Sequence, residues 1–204
     1  MNRTAHVAIY DSLADWEPGY LLAELRTGRF TGEPWNICTV AQSVAPITTM
    51  GGLQITPEIA LDEFAADESD LLILPGSGLW DQGQGHEWGS LARSFLDRGR
   101  VVAAICGATA GLAREGLLDD RLHTSAALQY LEAQPGYSGS AKYREQRAVA
   151  DQNLVTAGPQ SPVHFASATL GLLGLAPPAV LRAYEDLFAD GKAEAYEVLM
   201  SAAG

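Results

Sequence analysis

The sequence predicts an α/β domain in which a mostly parallel sheet is covered by helices on both faces. Three observations predict it. Apolar runs of strand length alternate with helical patterns from one end of the chain to the other. One run, at 70–74 in "DLLILPGSGLW", is apolar throughout after its leading Asp70, as a strand covered on both faces is. Another, "RVVAAIC" (100–106), passes straight into "GATAGLAREG", a ladder of small residues that opens a helix. At 204 residues the chain is long enough to bury well over half of its unfolded surface, and without linkers, repeats or low-complexity segments it reads as one domain, 1–204.

The first strand is "AHVAIY" (5–10). "DWEPGYLLAELRTG" follows as a helix with Trp16, Leu21, Leu22 and Leu25 on one side and a glycine at its stop. "WNICTV" (35–40) is the second strand, and "VAPITTMGGLQITPEIAL" carries two short β-rich pieces around Gly51-Gly52, a hairpin extension at one edge. The strand at 70–74 breaks at Pro75-Gly76 into a loop of small residues. "HEWGSLARSFLDRG" (86–99) is an amphipathic helix with Trp88, Leu91 and Phe95 spaced to cover a sheet face. Beyond the 100–116 strand and helix lie "RLHTS" (121–125), a helical "SAALQYLEAQ", and the β-like pieces "RAVAD" and "NLVTAGP" separated by Gln152. "VHFASATLGLLG" is helical, and two further helical segments, "PAVLRAYEDLF" and "KAEAYEVLMSAA", are split by Asp190-Gly191; their apolar stripes cover the sheet or form a dimer contact.

Composition narrows the function. The hydrophobic fraction is 47% and the charged fraction 19%, values of an ordinary globular protein. A net charge of -12, from 13 basic and 25 acidic residues, argues against nucleic acid and anionic membrane as partners, since both require a positive footprint. The amino-terminal apolar run is too short for a signal-peptide core and no run approaches a membrane span, so a cytoplasmic location is expected. There Cys38 and Cys106 stay reduced, and with neither in a C-x-x-C pair no structural metal is expected.

The chemistry centres on Cys106. A strand that turns directly into a helix at a nucleophile crowds its backbone, so the positions two before, one after and two after must be small. Here they are Ala104, Gly107 and Ala108. The helix amides favour negative charge on the sulfur, which predicts a lowered thiol pKa, with the Gly107 N–H placed to hold an oxyanion. The alternative is a buried small hydrophobe, the commoner role of a free cysteine and the one assigned to Cys38. Glu17 follows the first strand and emerges at the same carboxyl edge, where a thiolate would push its carboxyl toward the protonated form and make it a proton shuttle. The alternative for Glu17 is simple compensation of the helix dipole. His123, in "RLHTS", is a base or positioner, or else a hydrogen-bonded structural residue. His86 reads as solvated, His164 as packed in an apolar helix, and Trp80 as a packing residue or, alternatively, a pocket wall.

Strand-Glu, strand-Pro-Gly-loop and strand-Cys-helix occur in that order, through "ADWEP", "LLILPGSG" and "VVAAICGATAGLAREGLLDDR", followed by "RLHT" and "NLVTAGP". In this the chain resembles the ThiJ/PfpI family, also called the DJ-one superfamily, of class I glutamine amidotransferase-like proteins. The resemblance implies a flavodoxin-like three-layer sandwich, a homodimer, Cys106 as nucleophile or redox centre with Glu17 bonded to it, and Gly76 and Gly107 as backbone donors. No cofactor is implied. Two departures matter. The protease-like branch carries His directly after the nucleophile, where this chain has Gly107, and glutaminase domains use a distal His-x-Glu that is missing here. Both weaken the peptidase, amidase and glutaminase readings.

Three functions follow. The first is an enzyme in which Cys106 adds to a small electrophilic carbonyl compound with Glu17 relaying the proton, a glyoxalase- or deglycase-like hydrolase or lyase. The second is an oxidative-stress protein whose Cys106 is a peroxide-sensitive centre. The third is a scaffold or chaperone that keeps the elbow as a relic.

Overall fold

The computed structural model describes residues 3–202. The apolar runs form β1 (Thr4–Ala8), β2 (Asn36–Ala41), β6 (Leu71–Leu74), β7 (Val101–Ile105) and β9 (Leu154–Ala157), with shorter strands β3 (Ile47–Thr48), β4 (Gln54–Ile55), β5 (Ile59–Ala60) and β8 (Ala148–Asp151) between them. The helices are α1 (Trp16–Thr27), α2 (Gly78–Asp81), α3 (His86–Asp97), α4 (Ala108–Arg114), α5 (Leu128–Glu132), α6 (Pro162–Leu172), α7 (Pro178–Phe188) and α8 (Ala195–Ala202).

Seven strands make one sheet in the order β5-β2-β1-β6-β7-β9-β8, parallel except for β8, which returns antiparallel along β9 at the edge. The central strands β6, β7 and β9 bury nearly every residue, which is why they are apolar throughout rather than alternating. Helices α1 and α6 pack on each other over one part of the sheet, and α3 and α4 pack together against β6 and β7. The core between the layers is filled by Trp35, Trp80, Trp88, Phe95 and Phe165, all fully buried.

The expected hairpin is present as the β3–β4 pair, with Ile47 opposite Ile55. The chain after it does something the sequence reading left out: Ile59 and Ala60 join the main sheet beside Val40 and Ala41 as β5. The helix read at 125–134 shrinks to α5, and "GPQ" at 158–160 lies in the turn after β9. The last two helices form a stack on the side of α6, with α7 against α6 and α8 against α7.

The topology fixes where a site can form. From β1 the chain goes outward to β2 and then returns to the opposite side of β1 for β6. The crossovers diverge at β1, leaving a crevice at the carboxyl ends of β1 and β6, the place where open parallel sheets bind ligands.

Candidate active site

Three loops converge on that crevice. The β1–α1 loop delivers Glu17 in the first turn of α1, the β6–α2 loop delivers Gly76, and the β7–α4 bend delivers Cys106. Cys106 has φ +59, one of three non-glycine residues with positive φ among those described. Such a conformation costs about 1–3 kcal/mol for a side chain of this kind and persists only when neighbours impose it. They do so here. The Cys106 N–H donates to Ala157 O at 3.0 Å, and its carbonyl accepts from Thr109 N (3.1 Å) and Thr109 Oγ1 (2.6 Å). Thr109 Oγ1 is in turn bonded to Ser125 Oγ at 2.7 Å. The strained backbone lifts the sulfur out of the β7 line and into the crevice.

Glu17 is fully buried and its Oε2 accepts the Gly76 N–H at 2.5 Å. A Cβ at Gly76 would stand 2.7 Å from Glu17 Oε2, 2.8 Å from Cys106 Cβ and 2.9 Å from Cys106 Sγ. Only glycine lets the three loops close to this distance. The second carboxyl oxygen, Glu17 Oε1, is buried with no hydrogen-bond partner among the described residues. It is the uncommitted polar atom of the site.

Burial governs the electrostatics. It raises the Glu17 carboxyl to about 7, against the pull of the Gly76 amide and the Cys106 thiol. The sulfur is pushed up to about 12, first by burial and then by the Glu17 carboxylate, while the Gly107 amide pulls it down by less. The lowered thiol pKa expected from the helix dipole is therefore overturned. Helix α4 has only seven residues, and its amides are outweighed by desolvation and a neighbouring negative charge. Between about pH 7 and 12 the Cys106–Glu17 pair carries one proton and one negative charge, which is the arrangement of a nucleophile beside its base.

The pair opens into a pocket of about 200 Å³, with a mainly apolar wall. Ala14, Ser77 and Gly107 line its depth, and the exposed Ala126 and the half-exposed side chains of Trp16 and Met50 stand toward the mouth. Tyr130 and Asp81 close one side, with Tyr130 Oη donating to Asp81 Oδ1 at 2.8 Å. Burial, reinforced by Asp81, holds the Tyr130 phenol well above its usual range, so it stays a donor at any physiological pH.

The structure thus brings Glu17, Gly76, Cys106 and Gly107 together. It does not bring His123. That ring is fully buried, with Nδ1 bonded to Arg121 O and Nε2 to Tyr137 Oη, both at 2.8 Å, and it packs edge-on against Tyr137 and Tyr143. A backbone bridge from His123 to Tyr143 turns the ring inward, and Ala126, three residues on, is what reaches the pocket. Gly76 also takes a different part from the expected one: its amide is spent on Glu17, which leaves Gly107 as the backbone donor facing the sulfur. Trp80 is a packing residue, its Nε1 donating to Pro75 O at 3.0 Å. Sequence reasoning missed Tyr130, Asp81 and Met50. The one signal available for them was position, since Asp81 follows the small-residue loop and Met50 sits at the hairpin tip. Among the described residues no group of three or more His, Cys, Asp or Glu is arranged to hold a metal ion, and no helix is long and apolar enough to cross a membrane.

Comparison with known proteins agrees with this fold. Over 203 residues the chain is 39% identical to a Bacillus subtilis protein named as the uncharacterized protease YoaZ, covering 98% of this chain and 97% of that one. A crystal structure of a thiJ/pfpI family protein from Bacillus anthracis superimposes with a TM-score of 0.92 at 38% identity, covering 99% and 97% of the two chains. At greater distance, 25% identity over 126 residues, 61% of this chain and 66% of the other, links it to the glutathione-independent glyoxalase DJR-1.2 of Caenorhabditis elegans. The profile of the DJ-1/PfpI family matches residues 3–171, and the chain belongs to that family.

Proposed function

We propose that the protein is a cysteine-dependent enzyme acting on small electrophilic carbonyl compounds, with 2-oxoaldehydes as the best-fitting class. The observation that carries the reading is the Cys106–Glu17 pair, closed over Gly76 and facing a pocket of about 200 Å³ with Glu17 Oε1 uncommitted. In the addition step Sγ bonds to the aldehyde carbon and the carbonyl π pair moves to oxygen. The thiol proton passes to the Glu17 carboxylate, and the new alkoxide is met by the Gly107 amide. Glu17 then returns the proton to that oxygen, giving a neutral hemithioacetal and restoring the base. In this mechanism the sulfur ionises only as it attacks, so its raised pKa is compatible with catalysis provided Glu17 is the base.

Pocket size supports a small substrate over a peptide, and His123 is not available as the general base of a protease-like triad. The peroxide-sensitive reading asks for a standing thiolate, which burial and Glu17 oppose. A relative named as a glyoxalase supports the carbonyl reading, while the name of the nearer Bacillus relative points to proteolysis. The test is consumption of methylglyoxal by wild type, Cys106→Ser and Glu17→Gln, with casein or a fluorogenic peptide in parallel. Turnover of the dicarbonyl that drops at least about a hundredfold in both variants is the expected result. Peptide cleavage without dicarbonyl turnover overturns the reading.

A further inference from the structure

A second cavity, of about 310 Å³, lies at the carboxyl edge of the sheet beside the 158–161 turn, and carries chemistry that the Cys106 pocket does not use. Its wall includes Tyr20, Arg147, Ser161, His164 and Asp190. Helix α6, eleven residues long, begins there with Ser161 as its N-cap residue and Pro162 at the first helical position. The Ser161 side chain caps nothing. It is 1% exposed, and its Oγ is buried without a partner among the described residues. A buried hydroxyl left this way costs about 1–3 kcal/mol unless something else satisfies it, and Ser161 is one of the residues lining this cavity. The first internal bond of α6 runs from Phe165 N–H to Ser161 O at 2.9 Å, so the amides of Val163 and His164 precede the helical ladder.

Positive charge faces the same space. Arg147 is exposed and makes no ion pair among the described residues. The His164 ring, read from sequence as packed, is half-buried at the cavity wall. Asp190 closes the far side, its carboxylate held by Lys192 Nζ at 2.9 Å.

We infer that this cavity is a binding site for a small monoanionic oxyanion, seated on the first turn of α6 between Ser161 Oγ, His164 and Arg147. Helix amides, a hydroxyl donor and a guanidinium are the donor set that phosphate and carboxylate groups select. Asp190 refines the class. It would repel a bare dianion and accept from a hydroxyl, so the ligand carries one charge and a hydroxyl group, as dihydrogen phosphate and 2-hydroxycarboxylates do. The site shares the turn after β9 with the elbow, because Ala157 O accepts the Cys106 N–H while Ser161 N–H donates to Gly158 O at 3.0 Å.

The experiment is calorimetric titration of the full chain at low ionic strength with inorganic phosphate at about pH 6 and, separately, with lactate, repeated on Arg147→Gln and Ser161→Ala. The amide signals of Val163 and His164 are followed by NMR in the same titrations. Saturable binding that shifts those amides and weakens about tenfold or more in Arg147→Gln is expected, with a smaller loss in Ser161→Ala. Phosphate alone assigns a phosphoryl group, and lactate, alone or with phosphate, includes the carboxylate. Both variants change residues outside the Cys106 pocket, and Ser161 makes no capping bond to lose, so folding is retained; circular dichroism checks this. No saturable binding of either anion up to about 20 mM, or binding unchanged in both variants, overturns the proposal.

Discussion

At the scale of single residues the informative quantity is the proton that Cys106 and Glu17 share. Glu17 ionises at about 7 in the folded protein and near 4.5 when exposed to water. Between those values the folded chain holds a proton that the unfolded chain has released, so stability falls as pH rises through the window and the loss is complete above about 7. The shift corresponds to about 3 kcal/mol. Glu17→Gln keeps an acceptor for the Gly76 amide and has nothing to ionise. Denaturant unfolding should therefore find the variant gaining about 3 kcal/mol on wild type between pH 4 and pH 8; parallel curves would mean that Glu17 is solvated. Activity has the opposite slope. If the carboxylate is the base, kcat/KM for methylglyoxal rises with pH and levels off above about 7, and the residual activity of Glu17→Gln lacks that limb. Gly76→Ala gives a second test, since its Cβ would stand 2.7 Å from Glu17 Oε2 and 2.9 Å from Cys106 Sγ. It should separate the pair, cutting kcat/KM by at least about a hundredfold with circular dichroism unchanged. These residues show what the sequence could and could not convey. The bend at Cys106 was legible because small residues must flank it. The sign of the thiol pKa was not, because the helix amides can be read from the order of residues while burial and the nearness of Glu17 arise only when three loops meet.

At the scale of elements, the strands were legible wherever both faces are covered, since burial on two sides demands an unbroken apolar run such as Leu71–Leu74. Strand β5 was hidden because two residues of pairing leave no periodicity. The sequence leaves His123 open between a base and a structural residue for a related reason: chain order puts "RLHTS" after the elbow helix, but the ring is turned inward by a bridge to Tyr143, twenty residues later in a segment without pattern. Helix α2 escaped notice at four residues, yet it holds Trp80, which seats the elbow helix. Gly111 of α4 lies so close that a Cβ there would be 2.3 Å from the Trp80 ring. Gly111→Ala should force α2 and α4 apart and destabilise the protein by about 1–3 kcal/mol in denaturant unfolding, despite the better helix propensity of alanine. A stabilised variant would show that α2 shifts freely, and the pocket wall carried by Asp81 would then be adjustable rather than fixed.

At the scale of the whole molecule, the mouth of the Cys106 pocket carries exposed apolar side chains. Two of the large exposed hydrophobic side chains stand at it, Trp16 at 50% and Met50 at 55%, and Leu53, at 62%, is on the same hairpin as Met50. Trp16 and Met50 both line the pocket, and Asp15 ties the hairpin to the start of α1 by accepting from Gly51 N (2.7 Å) and Thr49 Oγ1 (2.6 Å). Apolar residues gathered on one rim of a chain with net charge -12 are the kind of surface that soluble proteins bury against a partner. The resemblance drawn from sequence implies a homodimer, and a twofold contact formed through this rim would set it against its own copy. Sedimentation equilibrium should then give twice the 21.6 kDa chain mass. Met50→Glu with Leu53→Glu should shift the protein to monomer and raise KM for small carbonyl substrates, because the mouth would be left open to water. A wild type that sediments as a single chain across micromolar concentrations would leave the rim free to admit substrate directly.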